Sequence, residues 1–148
     1  MYRRILVPLD GSARAEAILP YVEDLAHHFG SSVILLQVLE PVYVTVLDPD
    51  PKVEEVVRGL EEKQEIEAST YLNGRCGEFR QKKIEASTRL ARGQVIPSIV
   101  EIAAHEDADL IAMASHGRTG LSHVFYGSVA EGVLHRVDRP LLLIRAEN

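Results

Sequence analysis

Apolar positions along this chain change period several times, and each change marks an element. Ile5-Leu6-Val7-Pro8-Leu9 is a short apolar run that ends in the turn residues Asp10-Gly11-Ser12. Ala15, Ile18, Leu19, Val22, Leu25, Ala26 and Phe29 then recur at threes and fours, the spacing of one helix face. Pro20 within that helix predicts a kink, and Gly30 predicts a left-handed end. Val33-Ile34-Leu35-Leu36-Gln37-Val38-Leu39 is almost continuously apolar, as expected of a strand covered on both faces.

A loop rich in proline and aspartate, 41–51, leads into a long helix predicted from Lys52 to about Leu72. Its apolar positions are Val53, Val56, Val57, Leu60, Ile66 and Ala68, with Glu61, Glu62, Lys63 and Glu65 on a solvated face. Asn73-Gly74 is expected to end it, and 75–81 have no clear period. Lys83 to Leu90 alternates as a third strand exposed on one side, hence at an edge, with 91–94 as a loop. A helix over 95–106 carries Pro97 in its first turn, where a missing N–H costs nothing. Leu110 to Ala114 is the fourth strand, Ser128 to about Val137 the last helix, and Leu141-Leu142-Leu143-Ile144, introduced by Pro140, the fifth strand.

Strand and helix therefore alternate from end to end. Such alternation predicts an α/β fold: a single-domain, open, parallel five-stranded sheet of order 3-2-1-4-5 with helices on both faces. In sheets of this kind ligands sit beyond the carboxyl ends of the strands, where the strand order reverses. That point lies between strands 1 and 4, so Asp10 and the segment after Ala114 are expected to meet there.

That segment reads Ala114-Ser115-His116-Gly117-Arg118-Thr119-Gly120-Leu121-Ser122-His123-Val124-Phe125-Tyr126-Gly127-Ser128. It joins a buried strand to a helix start, where unpaired N–H groups and the aligned peptide dipoles attract an anion. Gly117, Gly120 and Gly127 would permit positive φ and let a phosphate approach the main chain. The plainer reading is also open: glycines are ordinary turn residues, and Ser128-Val129-Ala130-Glu131 has the form of a capping box. Arg118 is either a phosphate fork or a solvated loop residue. His116 and His123 lack the spacing of zinc ligands and an evident carboxylate partner, so no catalytic residue is assigned. Neither a Walker loop nor a G-x-G-x-x-G after strand 1 is present.

Composition narrows the classes further. At 148 residues the chain suits one domain, and its net charge of −6 argues against nucleic acid as a partner. Cys76 is alone, which excludes an internal disulfide and a thiolate metal cluster. No apolar run nears the length of a membrane span, and Pro8 and Asp10 interrupt the start where a signal peptide needs apolar sequence. A cytoplasmic protein without membrane association is expected.

With Asp10-Gly11-Ser12 and the glycine segment in place, the chain resembles the universal stress protein family of UspA type over essentially its full length. The nucleotide-binding branch of that family carries G-x2-G-x9-G-[S/T]; here the register is Ala114-x2-Gly117-x9-Gly127-Ser128, with alanine for the first glycine. The resemblance implies a Rossmann-like domain over 1–148 that binds ATP, or ADP or AMP, with magnesium as phosphate counter-ion. It implies Asp10 beside the adenosine, Val38 touching adenine through its backbone, and Gly127, Ser128 and the Val129 amide at the phosphates. Pro8, Ala114, His116, Gly117 and Arg118 join them as candidate binding residues. It further implies a homodimer formed through the last strand, Leu141 to Ile144, and a role as a stress-response sensor or regulator with slow hydrolysis at most. The alternative is a dimeric interaction module that binds no nucleotide.

Overall fold

Ile5, Leu6 and Val7 are fully buried, as are Val33, Leu35 and Leu36, so the first two strands form the dry centre of the molecule. The computed structural model describes residues 1–45, 50–116 and 127–146. Strands β1 (Arg4–Leu9), β2 (Ser32–Leu39), β3 (Ala86–Arg92), β4 (Leu110–His116) and β5 (Leu141–Ala146) form one sheet, ordered β3-β2-β1-β4-β5. Every pairing is parallel. The predicted α/β architecture and strand order are those observed, and β3 is an edge.

The period of two along each strand sends alternate side chains to opposite faces. Ile5, Val7, Leu9, Val33 and Leu35 pack with Leu19, Val22 and Ala26 of α2 (Leu19–Phe29), and with Leu72, Cys76 and Phe79 of α3 (Pro51–Gln81). Leu6, Ile34, Leu36, Ile111 and Met113 pack on the other face with Ile99 and Ala103 of α4 (Val95–His105), and with Ala130 and Val133 of α5 (Ser128–Arg136). Burying each large aliphatic side chain contributes roughly 1.5–3 kcal/mol, so these two layers hold the sheet between them.

Several elements depart from the sequence reading. The first helix is not one kinked helix but two: α1 (Ala13–Glu16), then α2, with Pro20 in the first turn of α2. A proline ring collides with the carbonyl four residues back, which here is that of Glu16, the last residue of α1. Gly30 closes α2 at φ +66, the left-handed end expected of it.

Asn73-Gly74 does not stop α3, which runs on to Gln81. Leu72, Cys76 and Phe79 recur at four and three and keep one face buried across the weak pair. The strand expected from Lys83 begins at Ala86, because Lys83 adopts φ +62 and Ile84 N–H returns to the Phe79 carbonyl, closing the helix first. Ala91 and Arg92, expected in a loop, pair with Val38 and Leu39 as strand residues.

Candidate functional site

At the carboxyl ends of β1 and β4, where the strand order reverses, a cleft of about 230 Å³ opens. Pro8, Leu9, Asp10 and Ala15 form one wall, Val38 the β2 side, and Met113 and Ala114 the end of β4. Val95 and Ile99 of α4 and Gly127, Val129 and Ala130 at the start of α5 complete it. Pockets for drug-sized ligands run to about 300–1,000 Å³, so this cleft encloses part of such a ligand. The lining is mainly apolar, with Asp10 as its charged member.

Asp10 is held by its own turn. Its Oδ1 accepts the Ser12 N–H at 2.9 Å and the Ser12 hydroxyl at 2.5 Å. Ser12 in turn caps α1, its Oγ accepting the Ala15 N–H at 3.2 Å. Gly11 between them stands at φ +83, a conformation that a side chain resists. Asp10 is exposed, so its carboxylate meets solvent and the cleft mouth together.

Alpha helix α5 begins differently from expectation. Gly127 is its cap, at φ −53 and ψ 154, and offers no side-chain hydrogen bond, while Ser128 is already the first helical residue. The capping box is therefore absent. Glu131 falls one position too late to reach the cap, and its Oε1 lies 3.9 Å from His135 Nε2 along the helix. Gly127 needs no positive φ here, and it forms part of the cleft wall. The start of α4 likewise has no side-chain cap. Two helix starts thus flank the cleft with their leading amides unclaimed by a cap side chain.

Of the ten candidate residues, Pro8, Asp10, Val38, Ala114, Gly127 and Val129 line this cleft. Ser128 lines an adjoining depression that shares Val95 and Val129 with it. His116 is the last residue of β4. Gly117 and Arg118, with Gly120 and His123, lie outside the described residues. Ile99, Met113 and Ala130 also line the cleft, although periodicity marks such positions only as core. Val95 was visible only as the first residue of a helix.

Behind the Asp10 turn, α3 supplies a polar group that periodicity does not reveal. Arg75 Nη2 lies 2.5 Å from Glu16 Oε2, and its guanidinium stands 5.9 Å from the Tyr71 ring centroid. The Tyr71 hydroxyl is buried without a hydrogen-bond partner among the described residues, as is Gln37 Oε1. Burial, followed by the nearby Glu16 carboxylate, pushes the Tyr71 hydroxyl above the usual tyrosine range, with Arg75 opposing.

The profile of the universal stress protein family matches residues 1–145. This chain belongs to that family. Universal stress protein MJ0577 of Methanocaldococcus jannaschii is 30% identical over 158 residues, spanning 100% of this chain and 98% of its own length. The solved structure of MJ0577 superposes with a TM-score of 0.83 at 32% identity, covering 100% and 99% of the two chains. A universal stress protein in complex with cAMP has a TM-score of 0.69 at 18% identity, covering 99% and 98%. The universal stress protein of Archaeoglobus fulgidus in complex with dAMP has a TM-score of 0.68 at 24% identity, covering 97% and 98%. At those two identities the likeness is one of fold. No described helix of this family member is long and apolar enough to cross a membrane.

Proposed function

We propose that this universal stress protein binds an adenine nucleotide, ATP first with ADP or AMP as alternatives, and serves as a cytoplasmic stress-response sensor or regulator. The observation that carries this reading is the cleft between β1 and β4, with Asp10 at one side and the uncapped start of α5 at the other. Two solved proteins of the same fold hold adenine nucleotides, cAMP in one and dAMP in the other, which supports the ligand class. Pro8, Val38, Ile99 and Met113 supply an apolar slot for a base, with the Val38 backbone contact to adenine carried over from the family resemblance. The phosphates run toward Gly127, Ser128 and the Val129 amide, where helix dipole and free N–H groups favour negative charge. Magnesium bound there would neutralise phosphate charge, with Asp10 as the carboxylate on hand. In this reading Asp10, the carboxylate of the cleft, serves binding, and hydrolysis is slow at most.

Equilibrium titration with ATP and magnesium tests this. Saturable binding is expected, and none at millimolar nucleotide would sink it. Replacing Gly127 by valine together with Ser128 by alanine should abolish binding and leave the unfolding transition nearly unchanged.

The molecule also acts, in this proposal, as a homodimer joined through β5. Among the described residues that strand ends the sheet and pairs only with β4, and it leaves Leu141, Leu142, Leu143 and Ile144 partly exposed. An unpaired edge of this composition invites a second chain. Light scattering should give twice the chain mass, and a charge placed at Leu142 or Leu143 should return the monomer.

A further inference from the structure

Helix α1 has only four residues, none of them fully buried, and its apolar packing is limited to Ala15, which rests partly buried against the core. A single turn of helix is unstable alone, because nucleation costs more than one hydrogen bond returns. Its fixed position therefore rests on its ties to other parts of the chain. At its start those ties are the Ser12 bonds to Asp10 Oδ1. At its end Glu16 Oε2 meets Arg75 Nη2 at 2.5 Å, linking α1 to α3, which is distant in sequence. Glu16 is the better shielded partner, 19% exposed, and Arg75 is partly shielded at 33%. A charge pair this close and this sheltered is screened less than one in open water.

We infer that Arg75 and Glu16 are positioning residues which clamp α1 onto α3 and thereby hold the Asp10 carboxylate at the mouth of the cleft. The inference rests on the nucleotide-binding reading. Motion passes along a short chain: Arg75 fixes Glu16, Glu16 fixes the α1 turn, and that turn carries both Ala15 in the cleft wall and Ser12 on Asp10. Tyr71 seals the clamp from beneath, its ring under the guanidinium and its hydroxyl buried close to the Glu16 and Asp10 carboxylates. Glu78 also pairs with Arg75, at 3.0 Å, but both belong to α3 and neither reaches α1.

The test is titration of the full chain with ATP in five variants. Arg75→Ala and Glu16→Gln should each weaken binding by about fivefold, the lower range for coupled sites. The double variant should bind no more weakly than either single one, because both remove the same link. Arg75→Lys should recover part of the loss, and Glu78→Ala should bind as wild type does. Amide exchange at Ala15 and Glu16 should quicken in Arg75→Ala without added nucleotide. A lowered melting temperature with unchanged ATP affinity would overturn the clamp while leaving the nucleotide reading intact. If the wild-type chain takes no ATP, that reading fails and this inference fails with it.

Discussion

A Cβ added to Gly132 would run into Cδ1 of Ile96 and lie 3.0 Å from its Cγ1, so α5 and α4 meet at a point where a larger residue requires Ile96 to move. Alanine there would improve helix propensity by about 1 kcal/mol, but overpacking costs about 1–3 kcal/mol. Ile96 is half-buried and can swing its δ-methyl aside, though not its γ-carbon. The repulsive effect prevails: Gly132→Ala should lose about 1 kcal/mol in urea unfolding. Adding Ile96→Ala should turn the same substitution into a gain, and additivity of the two changes would refute the contact.

Gly74 and Gly77 stand in the opposite situation. Both lie inside α3, and a Cβ on either meets nothing within 4 Å. Each pays the entropic cost of glycine with no packing return, so Gly74→Ala and Gly77→Ala should each stabilise by about 0.5–1 kcal/mol. Gly30→Ala, at φ +66, should do the reverse. Thermal unfolding of the three variants decides the matter.

Two serines at helix starts are predicted to differ. Ser12 caps α1 and bonds Asp10, so Ser12→Ala should cost about 1 kcal/mol. Ser128 caps nothing, so Ser128→Ala should stay within about 0.5 kcal/mol. Equal losses from the two substitutions would mean that α5 is capped in solution by the residue that the sequence pattern suggests.

Tyr71 gives a pH prediction with a definite sign. Its hydroxyl is held above the ordinary tyrosine value of 10.0 in the folded chain, chiefly by burial and then by Glu16. The unfolded chain therefore loses that proton more readily, and stability falls as pH rises from about 10 through the folded value. Below pH 10 the effect is fully present and flat. Alkaline denaturation of Tyr71→Phe should show a shallower loss over that range, and an ultraviolet titration should lose one phenolate that forms above pH 10.

How much of this was legible in the sequence depends on whether a signal was local. The continuous apolar runs of β1 and β2 announced buried parallel strands, and the alternation of strand and helix yielded the order of the sheet and hence the meeting of Asp10 with the end of β4. Boundaries failed where a distant contact overrode a local cue. Asn73-Gly74 reads as a stop, yet Leu72, Cys76 and Phe79 are buried against the sheet and carry the helix through. Pro20 was read as a bend when its ring in fact divides two helices. Ser128 looked like a cap because the pattern fits, and only the backbone shows the helix starting one residue earlier than that pattern requires. The Arg75 and Glu16 pair had no signature at all, since neither spacing nor residue type distinguishes it from other surface charges.

Cys76 lies beneath α3 with 2% of its surface exposed, and it is the sole thiol of the chain. A disulfide reagent can reach it only when that helix lifts from the sheet. Its labelling rate under native conditions is thus a built-in clock for local opening, one that separates the lifting of α3 from global unfolding. No reporter has to be engineered, because the whole signal arises from one sulfur.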